Sequence, residues 1–234
     1  MFFKKDIITT MRNLRFYIYT ALLVVVALLT IPYFCDLMGI LFLSATPILS
    51  QLSLYKWVAV GMVAMLVAKR ILGSNFGWIE TFSHELTHTV VALLLFRRVH
   101  SFHAAEDGGL VSTSGSMGRG MIPMSLAPYC LPIFTYLLLL IRPLIGVHGI
   151  WIFDILIGLT LTFHLVCFNN QTGRHQTDIN RYPLLFAHGY IYLARLINAC
   201  ILLVAFFPGY NVFTSIWRLL CAWYDNLLAI GAWW

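Results

Sequence analysis

Charge is scarce in this chain. Asp, Glu, Lys and Arg make up 10% of its 234 residues, where a soluble domain carries about 25%. Too few polar residues remain to coat a separate soluble domain. Cysteine occurs five times, as Cys35, Cys130, Cys167, Cys200 and Cys221, but never as a Cys-x-x-Cys pair and always in or beside apolar runs. Such placement excludes a cysteine metal cluster and a disulfide frame, and it reads as small apolar packing. Internal repeats and low-complexity tracts are absent as well. The net charge of +6 does not point to nucleic acid. Its Lys and Arg sit mostly at the ends of apolar runs, where basic residues anchor and orient membrane spans.

What the chain does have is apolar length. It is 60% hydrophobic, with mean hydropathy +0.84, and so reads as an all-α polytopic membrane protein forming one integral domain over residues 1–234. At about 20 residues per crossing, six or seven transmembrane helices are expected. They fall near residues 16–34, 54–68, 76–96, 122–141, 149–168, 184–207 and 213–234, the last of which spans or lies flat. The first run is long and ends at Pro32 without a small-residue cleavage site, so it is expected to be a retained span. Lys4, Lys5, Arg12 and Arg15 favour a cytoplasmic N-terminus, although Arg97, Arg98, Arg174 and Arg181 break a simple alternation. Residues 35–53 contain Pro47 and almost no charge, which suggests an interfacial loop or a short re-entrant segment.

Within 76–96 stands His84-Glu85-Leu86-Thr87-His88, a His-Glu-x-x-His signature. Residues four apart share one face of a helix, so His84 and His88 can offer two imidazoles to one metal ion. Glu85 then lies beside the metal, placed to take a proton from a water that the metal activates. The bland alternative is a buried histidine pair with ordinary hydrogen-bond partners, but such a trio is costly in an apolar helix without a job.

Two histidines do not complete a catalytic zinc site, which ordinarily takes three protein ligands and a water. The nearby solution of soluble enzymes is excluded: position 94 is Leu94, not histidine, and Val91 stands where a glycine would be needed. The third ligand must come from far along the chain, and the candidates are Asp178, Asp154, His164 and His175. Asp178 leads, because it sits in a polar segment at the mouth of a span, with Thr177 and Asn180 able to support it. Its competing role is to cap the helix that starts near Pro183. Asp154 is nearly alone in an apolar run, where a carboxylate is expected to be neutral or functional. His164 is as readily a buried histidine bonded to a backbone carbonyl.

Residues 97–120 form the one extended polar stretch. They contain Gly108-Gly109 and then Leu110-Val111-Ser112-Thr113-Ser114, which alternates weakly as a strand does. A short β-hairpin or re-entrant loop near the metal site is expected. Its exposed edge would suit an extended peptide, with Gly108 and Gly109 as substrate contacts. Asn169 and Asn170 are further candidates for holding a substrate backbone. Pro123, Pro128 and Pro132 predict an irregular start or a kink in the span at 122–141.

A His-Glu-x-x-His on a membrane helix, a Gly-Gly hairpin, two more spans and then an aspartate together resemble the site-2 protease family of intramembrane zinc metalloproteases. The likeness covers a core of about residues 76–182, flanked by helices in 16–68 and 184–234. It implies zinc held by His84, His88 and an aspartate, for which Asp178 is the nearest match, with Glu85 as catalytic base. The family's usual Leu-Asp-Gly is Thr177-Asp178-Ile179 here, and the glycine before its second histidine is Thr87, departures that mark a distant branch. The resemblance implies a multi-pass protein of the bacterial inner (cytoplasmic) membrane. Its expected partners are the lipid bilayer and a membrane-anchored protein substrate. Two other readings remain at this stage, a zinc hydrolase of a lipid-like substrate and a non-catalytic scaffold that keeps the fold. Oligomeric state is not legible.

Overall fold

The computed structural model describes residues 2–43, 45–73, 75–105, 108–114, 121–146, 148–173, 176–207 and 209–231, with side chains described at 14–40 and from 55 onward within those ranges. His175, one of the ligand candidates, and the glycines at 115, 118 and 120 lie outside the described residues. Nine α-helices and two strands are described: α1 (Phe2–Leu43), α2 (Ala45–Leu72), α3 (Asn75–Leu94), β1 (Val99–Ala105), β2 (Gly108–Thr113), α4 (Met121–Leu126), α5 (Ile133–Ile141), α6 (Ile150–Gln171), α7 (Thr177–Asn180), α8 (Leu184–Ala205) and α9 (Val212–Gly231). The molecule is an integral membrane protein, almost wholly helical, with one two-stranded antiparallel sheet.

The span count is lower than the apolar runs suggest. Three helical stretches are long and apolar enough to cross a membrane alone: Leu14–Ile40, Ile150–Gln171 and Leu184–Ala205. Two more crossings arise if the bent pairs α2 with α3 and α4 with α5 each count as one, giving up to five among the described residues. Three physical reasons account for the difference. Polar residues of the motif dilute α3. Pro132 breaks the run at 122–141 with an 89° bend. Arg218 and Asp225 lower the hydropathy of α9. Residues 35–43 and 45–53 are helical, where an interfacial loop or re-entrant segment was expected. Helix α1 also continues through Pro32. A proline removes one backbone bond, and this helix is long enough to carry on past the gap.

Backbone contact sets the deepest packing. Helices α2 and α6 cross at Gly61 and Gly158. A Cβ on Gly61 would lie 1.9 Å from the Ile155 carbonyl oxygen, and one on Gly158 would lie 2.0 Å from that of Val58. In lipid no hydrophobic gain separates helix from tail, so close approach at small residues supplies the attraction. A cluster of Leu37, Leu139, Ile157, Cys200, Leu202 and Leu219 joins α1, α5, α6, α8 and α9.

Two local devices place the hairpin. Phe96, at φ 58°, is the non-glycine residue in left-handed conformation that ends α3, and Arg97 N–H returns to the Ala92 carbonyl at 2.9 Å. The chain then reverses into β1, which pairs with β2 in a register that sets Phe102 opposite Val111 and Ala105 opposite Gly108. At the base of the hairpin, Ser114 N–H donates to the Arg98 carbonyl at 2.7 Å, and Arg98 N–H donates to Ser114 Oγ at 2.9 Å.

Candidate metal centre

Helix α3 carries His84 two and a half turns from its start, and His88 follows one turn later on the same face. Their rings stand 4.9 Å apart between centroids. Each Nδ1 is already engaged. His84 Nδ1–H donates to Gln171 Oε1, at the last residue of α6, across 3.0 Å. His88 Nδ1–H donates to the Met124 carbonyl in α4, across 2.8 Å. Both Nε2 atoms therefore face the same point, and there the chain supplies Asp178. Its Oδ2 lies 3.1 Å from His88 Nε2 and 3.9 Å from His84 Nε2. Among the described residues, His84, His88 and Asp178 are the group of three able to share a metal ion, with all ligand atoms within 4.8 Å of one another.

Asp178 is brought across 90 residues of chain by its neighbour. Ile179 is fully buried in a pocket of Leu126, Tyr129, Cys130, Ala187 and Ile191. That plug pins the four-residue helix α7 and turns the adjacent carboxylate toward α3. Asp178 does not cap α8, whose N-cap position is Pro183. Burial pushes the Asp178 carboxyl up, but the neighbouring His84 and His88 imidazoles outweigh it and hold the group well below the usual carboxylate range. With protons on both Nε2 atoms the histidines are donors to Asp178. Without them, three acceptors converge, an arrangement that a cation relieves. Tetrahedral zinc would hold neighbouring N and O donors roughly 3.3 Å apart, close to the separations seen. The donor set therefore fits a divalent metal ion.

Glu85 is buried under the hairpin. Gly109 of β2 passes so near that a Cβ there would meet Glu85 Cγ at 2.3 Å. A cavity of about 180 Å³ opens at this point, lined by Glu85, His88, Gly109, Val111, Thr113 and Asp178 among others. Of the four proposed substrate contacts, Gly109 lines the cavity, while Gly108, Asn169 and Asn170 do not. Asn170 Nδ2 donates instead to Glu80 Oε1 at 2.7 Å, and Asn169 is exposed.

The alternative ligands are placed elsewhere. Asp154 accepts from Arg142 Nε at 2.9 Å as a partly buried ion pair. His164 Nε2 accepts from Phe134 N–H at 3.2 Å, satisfying one of the donors that the first turn of α5 leaves without a helical partner. Its partner is thus a backbone N–H and not the carbonyl expected. The residues that sequence reasoning missed are Gln171, Met124, Tyr129 and Ile179. Gln171 was within sight, directly after Asn169-Asn170, but nothing in its spacing distinguished it from its neighbours. The Met124 carbonyl and the Ile179 plug leave no signal in sequence.

A helical membrane protein with a partly buried His-His-Asp cluster and a glutamate beside it defines the class as a membrane metallopeptidase. The chain belongs to the peptidase M50B-like family, whose model matches residues 56–219 and so spans the whole cluster. This agrees with the resemblance to the site-2 proteases. No curated protein and no solved structure matches the chain.

Proposed function

We propose that this protein is an intramembrane zinc endopeptidase, cutting peptide bonds of membrane-anchored proteins in a bacterial inner membrane. One observation carries the reading: His84, His88 and Asp178 converge as a metal-ligating group, and two of them, His88 and Asp178, line a cavity with Glu85 and strand β2. Zinc bound by those three residues supplies a Lewis acid for the scissile carbonyl and for the attacking water.

The protein's own groups do the rest. Glu85 accepts the proton of the attacking water and then delivers it to the leaving amine. Gln171 and the Met124 carbonyl hold each imidazole in the tautomer whose Nε2 faces the ion. Among the described residues, strand β2 pairs with β1 on one side and with no other strand. Its other edge is suited to bind an extended segment of substrate by backbone hydrogen bonds. Gly109, lacking a side chain, keeps that backbone close to Glu85.

The test uses the full chain purified in detergent. Wild type is expected to hold about one zinc per chain and to cleave a membrane-spanning peptide reporter. Glu85→Gln should keep the zinc and lose at least a hundredfold in cleavage, in line with the usual contribution of a general base. Asp178→Ala should lose the zinc. A folded wild type without zinc, or a Glu85→Gln protein with undiminished cleavage, would sink the reading. Release of a lipid ester in place of peptide cleavage would move the chemistry to a lipid-like substrate.

A further inference from the structure

A guanidinium lies well inside helix α8, on a segment apolar enough to cross the membrane. It belongs to Arg195, which is partly buried and lies outside the cavity lining. Arg195 Nε donates to the Tyr129 carbonyl at 2.8 Å. Its Nη2 donates to the Phe168 carbonyl at 3.1 Å and also to Thr172 Oγ1. The cation further stacks over the rings of Phe168 and Tyr192, at 5.0 and 5.5 Å from their centroids.

The Tyr129 carbonyl is open to a side chain because the helix breaks there, while the Phe168 carbonyl also accepts from Thr172 N–H. The chain turns at Pro132, and Ile133 N–H goes to the Leu131 carbonyl, which leaves the Tyr129 carbonyl to a side chain. Phe168 stands in the last turn of α6. Arg195 therefore ties the break between α4 and α5 to the C-terminal end of α6. Both tied segments bear on the same imidazole. The Tyr129 ring packs edge-on against His84 at 5.1 Å, and Gln171, between Phe168 and Thr172, accepts the hydrogen bond of His84 Nδ1–H. His88 is held differently, by the Met124 carbonyl in α4.

We infer that Arg195 is a positioning residue for His84, setting the direction of its Nε2 through Gln171 and Tyr129. The inference rests on the metal site proposed above. A guanidinium suits the task because its planar fork serves two segments at once, and a lysine ammonium cannot copy that geometry.

Zinc affinity, measured by chelator competition on the full chain in detergent, tests the inference as a double-mutant cycle. The proteins are wild type, Arg195→Met, Gln171→Leu and the double variant, each with its thermal unfolding recorded. Arg195→Met and Gln171→Leu are each expected to weaken zinc binding about 10- to 100-fold, the range for lost ligand-orienting contacts. Together they should weaken it little more than the stronger one alone, because both act on one imidazole. Should Arg195→Met fail to fold, Arg195→Lys replaces it in the same cycle, with partial loss expected. Unchanged affinity in the Arg195 variant, or losses that multiply in the double variant, would overturn the inference while leaving the metal site intact. A folded wild type that binds no zinc would overturn both, and the wild-type measurement tells the two failures apart.

Discussion

Gly109 and Glu85 are in backbone-to-side-chain contact across the join between hairpin and helix. A single methyl on Gly109 would sit 2.3 Å from Glu85 Cγ and 2.6 Å from its Oε1. Real Cβ atoms are not found that close, so one of the two must move. Gly109→Ala is expected to displace the Glu85 carboxylate and cut turnover at least tenfold, about 1.4 kcal/mol of barrier. Zinc content should stay unchanged, since the three atoms nearest to a Cβ on Gly109 all belong to Glu85. Steady-state cleavage beside metal analysis checks this. Full activity in the alanine variant would mean that Glu85 has freedom its packing denies.

Ile179 places Asp178 by filling a pocket, not by touching the metal donors. Ile179→Ala empties a fully buried site, where such truncations cost about 2–5 kcal/mol. The expected result is a lower unfolding temperature together with weaker zinc binding, because α7 loses its anchor. Ile179→Val should lower stability much less and keep most of the affinity. Undisturbed zinc binding in Ile179→Ala would show that Asp178 is held by something else.

Asp154 separates structure from metal binding. Its buried carboxylate faces the half-buried Arg142, and removing it leaves that charge without its partner, at a cost below the roughly 3–5 kcal/mol of a fully buried pair. Asp154→Ala should therefore unfold at lower temperature while still binding about one zinc per chain. Loss of zinc from a folded Asp154→Ala protein would return this residue to the ligand set.

The α2–α6 crossing predicts a defect far from the cluster. A Cβ on Gly158 collides with backbone, which cannot swing aside as a side chain can. Gly158→Ala is expected to push the two helices apart and lower stability by about 1–3 kcal/mol. Helix α6 carries Gln171, so zinc affinity should fall modestly as well. Thermal unfolding in detergent with and without added zinc measures both. An unchanged unfolding temperature would contradict the close crossing.

Much of this protein is determined by its sequence alone. Scarce charge and long apolar runs require a membrane, because such a surface cannot be wetted. A four-residue spacing places His84 and His88 on one helical face whatever surrounds them, and Glu85 comes with them. Gly108-Gly109 and the alternation after them foretell the hairpin, because local conformation is a local property. The third ligand is different. Asp178, Asp154 and His164 all stood as candidates, since spacing along the chain does not report distance across 90 residues. Only the tertiary structure sets Asp178 beside His84 and His88, with Ile179 plugged into a pocket, while it gives Asp154 to Arg142 and His164 to a backbone N–H. The described residues hold three to five candidate spans, so six or seven is not confirmed, for a related reason. Hydropathy counts apolar residues but does not see a helix break at Pro132 or a partner helix that covers a polar face. The hydrogen bonds that aim the imidazoles, from His84 to Gln171 and from His88 to the Met124 carbonyl, join segments whose meeting is decided by packing, and no local pattern in the chain encodes them.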